Sequence, residues 1–186
     1  MANFGSFESG DKDLSVKIVG LSEAMERLSQ LPVQMQKSAI GSSLRQAAKP
    51  IAAAMKAKAG STGSGSGALA ESVGIRGVSK SKLKGNQVSA MLIGPLRDSP
   101  KALVKYAAYY GKTLSGKLAK AGIRHGHLVE FGHSVGGTKV GARPFMRPAF
   151  DANIAGSMQI FRQKLGQRTD AIIKKLNKRA AKQRAK

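Results

Sequence analysis

The chain has 186 residues, 41% of them hydrophobic, enough for one domain with a real core plus extensions. It lacks cysteine and tryptophan, which excludes disulfides, thiolate metal sites and cysteine nucleophiles and leaves an aliphatic core of Ala, Leu, Ile and Met. The formal net charge is +22 and uneven: residues 1–26 hold Glu8, Asp11, Asp13, Glu23 and Glu26 against Lys12 and Lys17, so the rest carries +25, a field that favours DNA, RNA, an anionic membrane or an acidic protein as neighbour.

In chain order, residues 1–13 are small and polar and read as a flexible N-terminal arm. They lack the basic start and apolar run of a signal peptide. No window approaches the roughly eighteen apolar residues of a membrane span, so a soluble protein made in a cytoplasm is expected. Leu14–Val19 alternates as a strand does and stops at Gly20. Ser22 is a cap for a short helix through Leu28, with Glu23 and Glu26 near its positive end. Pro32 suits the first turn of a second, Ala-rich helix ending at Gly60. Its apolar stripe is Ile40, Leu44, Ala47, Ile51 and Met55, and Pro50 within it predicts a lost amide donor and a kink.

Ser61–Gly67 reads STGSGSG, a connector with nothing to pack; it runs directly into Ala-Leu-Ala and not into the Gly-Lys-Ser/Thr that a phosphate loop would require there. Leu69–Val78 and Gln87–Ile93 read as two strands joined by a lysine-rich turn, Lys80–Gly85. Tyr106, Tyr109 and Tyr110 precede Lys112, Lys117, Lys120 and Arg124; such a mixture can stack on single-stranded bases, but the helical spacing favours a packed helix face. After Pro144 and Pro148 a long helix begins, with Phe150, Ile154, Phe161, Leu165, Ile172 and Leu176 as its stripe. It ends in a basic tail, 174–186, holding Lys174, Lys175, Lys178, Arg179, Lys182, Arg184 and Lys186 and no acid.

All three histidines lie in His125-Gly-His-Leu-Val-Glu-Phe-Gly-His133. A helical zinc motif needs two histidines a full turn apart with the glutamate adjacent. His125 and His127 are two residues apart, and His133 lies beyond Gly132. No metal and no cofactor is expected here. No G-x-S-x-G elbow occurs, and beyond residue 71 the acids are only Asp98, Glu130, Asp151 and Asp170, too few to assemble carboxylate pairs. Catalysis is not expected. Leu128–Gly132 instead reads as a structural corner: Glu130 sits among apolar residues and pairs with one of Arg124, Arg143 or Arg147, while Phe131 and Phe145 anchor the corner to the core.

Glu130-Phe131-Gly132, followed by Pro144-Phe145-Met146-Arg147-Pro148-Ala149, resembles the head–tail joining or tail-completion family of tailed bacteriophages. Gly20-Leu21 with Leu28 and Leu31-Pro32, the Ala-rich stretch 39–58, and Gly67-Ala-Leu-Ala-Glu-Ser-Val73 agree with that family's order of motifs, over roughly residues 14–165. The resemblance implies a structural virion protein of the neck, not an enzyme. It implies a homo-oligomeric ring, a hexamer in preference to a dodecamer, whose partners are a tail terminator, a stopper or a portal-proximal adaptor. Its contacts would come from Glu130, Phe131, Gly132, Pro144, Phe145, Arg147 and Pro148, and from the basic tail against DNA or an acidic neighbour. The expected fold is α+β: a small, mainly antiparallel sheet packed against the Ala-rich helix and the long basic C-terminal helix, as one domain over 14–173. Composition alone supports a different reading, a basic DNA- or RNA-binding protein.

Overall fold

A computed structural model describes residues 21–63, 66–83, 89–111 and 125–184. The expected arm 1–13, the strand Leu14–Val19, the end of the lysine turn, the basic residues between 112 and 124, and Lys186 lie outside them. The fold is α+β: two long helices pack lengthwise, with one short helix toward one end and the other short helices and two small antiparallel sheets toward the other.

Helix α1 spans Leu21–Ser29 and begins one residue ahead of the expected cap, Ser22. Helix α2, Val33–Ser61, starts directly after Pro32 and runs through Pro50 as a single helix. An interior proline costs a helix about 3 kcal/mol. Here Ala47 and Ile51 are buried on either side of it, so packing holds the helix where local preference would break it. Helix α3, Ala68–Ser72, leads into strand β1, Val73–Gly77, which pairs antiparallel with β2, Met91–Pro95, matching Ile75 to Ile93. The expectation of a strand from Leu69 is therefore corrected. Ala68, Leu69 and Ser72 are buried together, a helical spacing that an alternating strand would split between two faces. Of the expected second strand, Gln87–Ile93, residues 87 and 88 lie outside the described residues; Ser89 and Ala90 precede the strand, which begins at Met91 and runs on to Pro95.

Helix α4, Pro100–Tyr109, starts with its proline in the first turn. Tyr106 packs on Ala68, Ala102 and Leu103, whereas Tyr109 and Tyr110 are exposed. The three tyrosines do not share one packed face. A short helix α5, Gly126–Phe131, is followed by a hairpin of β3, His133–Val135, and β4, Thr138–Val140, turning at Gly136-Gly137. Gly-Gly between short strand-like runs is a hairpin signature, and the sequence reading missed it.

Helix α6, Met146–Arg184, has 39 residues, about 58 Å at 1.5 Å per residue. It is antiparallel to α2: Ile51 and Met55 meet Ala149 and Ile154 at one end, while Ala39 meets Leu165, Ile172 and Leu176 at the other. The buried positions of α6 are Ala149, Ser157, Leu165 and Thr169. Phe150, expected on the stripe, is 40% exposed, because Ala149 takes the inward position beside it. Helix α1 lies against α6 as well, with Leu28 and Leu31 in the same cluster as Leu165 and an Arg27–Asp170 ion pair of 3.7 Å at its edge.

Candidate functional site

The end of the molecule where α2 finishes and α6 begins is held by residues distant in sequence. Phe145 is fully buried, with Ala59 and Leu69 around it. Its own N–H donates to Glu130 Oε2 at 2.7 Å, Met146 N–H donates to the same oxygen at 2.9 Å, and Arg147 N–H donates to Oε1 at 3.1 Å. The first donors of a helix have no partner within it. Glu130 satisfies three, and Pro148, next in line, has no N–H to satisfy. The segment Phe145-Met-Arg-Pro148 is thus a helix start that requires an acceptor from elsewhere, and α5 supplies it.

This corrects the expected pairing of Glu130 with an arginine side chain. Arg147 contributes its backbone N–H and a nearby positive charge, Arg124 lies outside the described residues, and Arg143 turns away. The Arg143 guanidinium donates to the Thr62 carbonyl at 2.6 Å, where the last carbonyls of α2 carry partial negative charge. A carboxylate at the positive end of one helix and a guanidinium at the negative end of another clamp the corner. Burial pushes the Glu130 carboxyl upward, but the amides of Met146, Phe145 and Arg147, with the Arg147 charge, outweigh it and hold the group below its ordinary value.

Gly132 closes α5 with φ 77°, and a Cβ there would lie 2.8 Å from the Val140 carbonyl and 3.0 Å from Ala142 N. Only glycine fits at that approach of α5 to the hairpin. Phe131 does not anchor the core. It is 72% exposed, because α5 turns Glu130 inward and the next residue must point elsewhere. Val135 and Val140, which the hairpin register places on the same face of β3–β4, are exposed too. Pro144 and Arg147 are exposed and Pro148 is half-buried.

The histidines diverge. His125 is half-buried with its ring 6.0 Å from Tyr106, His127 is exposed, and His133 Nδ1 lies 3.4 Å from the Leu128 carbonyl. Burial, and then the neighbouring His127, push the His125 imidazole below its ordinary value. Among the described residues no three His, Asp or Glu side chains are grouped as a metal would need. A second polar junction, missed in the sequence, is Glu71 of α3. It bonds Lys56 of α2 at 3.1 Å and Lys105 of α4 at 3.3 Å, and these two lysines, Lys56 first, hold its carboxyl below the ordinary value.

The basic tail is the continuation of α6. The helix passes residue 174 unbroken, and Lys174, Lys175, Lys178, Arg179, Lys182 and Arg184 are all exposed. No described helix is long and apolar enough to cross a membrane.

No curated protein and no solved structure matches the chain. A family does, over residues 21–132: HK97-gp10-like, described as "Bacteriophage HK97-gp10, putative tail-component". The match runs from α1 to the glycine that closes α5 and stops short of the Pro144–Ala149 segment. Covering more than half of the sequence, it establishes that the chain belongs to the HK97-gp10-like family of bacteriophage tail components.

Proposed function

We propose that this structural tail protein acts in the neck, completing the tail and joining it to the DNA-filled head as a homo-oligomeric ring, a hexamer in preference to a dodecamer. Its work is contact, without catalysis. Tail terminator, stopper or portal-proximal adaptor proteins are the partners. The observation that carries the reading is the exposed apolar side chains on the elements next to the clamp: Phe131 at 72% exposure on α5, and Val135 and Val140 on one face of the hairpin that follows. A two-stranded hairpin open on both faces is marginal by itself in water, and aromatic side chains on a rigid support are typical anchors of protein interfaces. Residues 14–173 would form the ring body, 1–13 an arm and 174–186 a basic extension.

The test is a phage carrying Phe131→Asp. The exposed position tolerates the charge for folding, whereas an interface does not. DNA-filled heads and finished tails should accumulate unjoined in the lysate, as seen by electron microscopy. Normal particles at normal titre would overturn the proposal.

A further inference from the structure

We infer that one face of α6 is a binding site for the phosphate backbone of duplex DNA, formed by Lys164, Arg168, Lys175, Lys178, Arg179 and Lys182. At 100° per residue these positions, with Ala171, fall within roughly 100° of arc. Ala171 is the only non-basic residue on that face. The apolar seam toward α2, through Leu165, Thr169, Ile172 and Leu176, lies to one side of it, and α1 sits on the side marked by Asp170. Five of the face's six basic residues are exposed and Lys164 is half-buried; Lys175 and Arg179, on the edge toward α2, also line a groove with Met35 and Ser38. The side chains of the face form no ion pair among the described residues; Lys164 bonds only the Gln167 amide, at 3.0 Å.

The set differs from the whole basic tail. Lys174 lies about 90° from the centre of the face, and Arg162 and Arg184 lie on the opposite side. Lys164 and Arg168 belong to the face although they precede the tail.

The face fits DNA better than an acidic protein. It carries no aromatic or large aliphatic side chain, and protein interfaces are built around such anchors and depleted in lysine. From residue 164 to 182 it runs about 27 Å, the length of roughly eight base pairs at 3.4 Å each. Lysine and arginine contacts to phosphate carry no sequence information, so the binding is sequence-independent. The inference rests on the neck reading only for where the chain meets DNA; the face itself is a property of α6.

The experiment compares two variants of equal charge in the full-length chain: Arg168→Gln with Lys182→Gln on the face, and Arg162→Gln with Arg184→Gln off it. Binding to a fluorescent 24-base-pair duplex (a probe of about three face lengths) is followed by anisotropy from low to physiological salt, with helicity checked by circular dichroism. The face variant should bind about ten-fold more weakly, with a salt slope shallower by about 1.8 for two lost phosphate contacts. The off-face variant should change less than about three-fold. Equal losses in the two variants, or no binding by the parent, would overturn the site. So would binding to polyglutamate as tight as to the duplex and equally dependent on the face. Ring formation measured on the same samples separates this inference from the neck reading, since either can fail while the other holds.

Discussion

At the start of α6 three backbone N–H groups converge on the carboxylate of Glu130, a residue only 6% exposed. Hydrogen bonds to a charged group are each worth about 1.5–3 kcal/mol net, and stranded buried donors cost about 1–3 kcal/mol. Glu130→Ala should therefore destabilise the domain by about 3 kcal/mol or more in urea denaturation, and Glu130→Gln, which keeps an acceptor oxygen, by less. The charge also fixes a pH dependence. The folded pKa lies below the unfolded one, so the contribution is fully present above the ordinary carboxyl range and is lost as pH falls through the folded value. The stability gap between parent and Glu130→Gln should close on acidification below about pH 4.3, the ordinary glutamate value; a gap that widens there would contradict the clamp. Phe145→Ala should cost about 3–5 kcal/mol. Phe131→Ala, at an exposed position, should stay within about 0.5 kcal/mol of the parent.

Between elements, the α2–α6 seam is lined by small residues, Ala39, Ser43 and Ala47 on one helix and Ala149 and Ser157 on the other. Among the described residues the hydroxyls of Ser43 and Ser157 are buried without a hydrogen-bond partner. Replacing such a group with a methyl removes a desolvation cost, and alanine is the better helix former. Ser43→Ala and Ser157→Ala should each raise stability by about 1 kcal/mol, read as an increase in melting temperature; a loss would show that a hydroxyl has a partner in the folded protein. The seam also marks what was legible in the sequence. The Ala47–Ile51–Met55 stripe and Leu165–Ile172–Leu176 are ordinary helical periodicity, and both long helices follow from them. Glu130 and Phe145 stand out in the sequence as a corner because their motifs are distinctive, but the carboxylate's partners do not show there. Sequence shows charges, and backbone N–H groups are the same in every residue. The start of β1 was misplaced because a single helical turn at Ala68–Ser72 is too short to show its period. Arg143 at the end of α2 gave no local signal, since its acceptor is a carbonyl 81 residues away.

For the whole molecule, charge works against the proposed ring. Helix α2 contains no acid, and in α6 Asp151 and Asp170 stand against ten basic residues. Six copies gather a formal net charge of +132, +22 from each, and salt screens it over only about 8 Å at physiological ionic strength. Apolar contacts at the Phe131 corner must overcome that repulsion, and they weaken little as salt rises. Purified chain at low salt should therefore sediment as a monomer. Raising the salt to about 0.5 M, where screening is roughly twice as short, should shift it toward the ring. Adding short duplex DNA at low salt should do the same, because neutralised basic faces no longer repel. Phe131→Asp should remain monomeric under all three conditions. Sedimentation velocity distinguishes the outcomes: a parent chain that is already a hexamer at low salt without DNA would mean that its subunit contacts outweigh the repulsion unaided, and that the basic face of α6 is not what gates assembly.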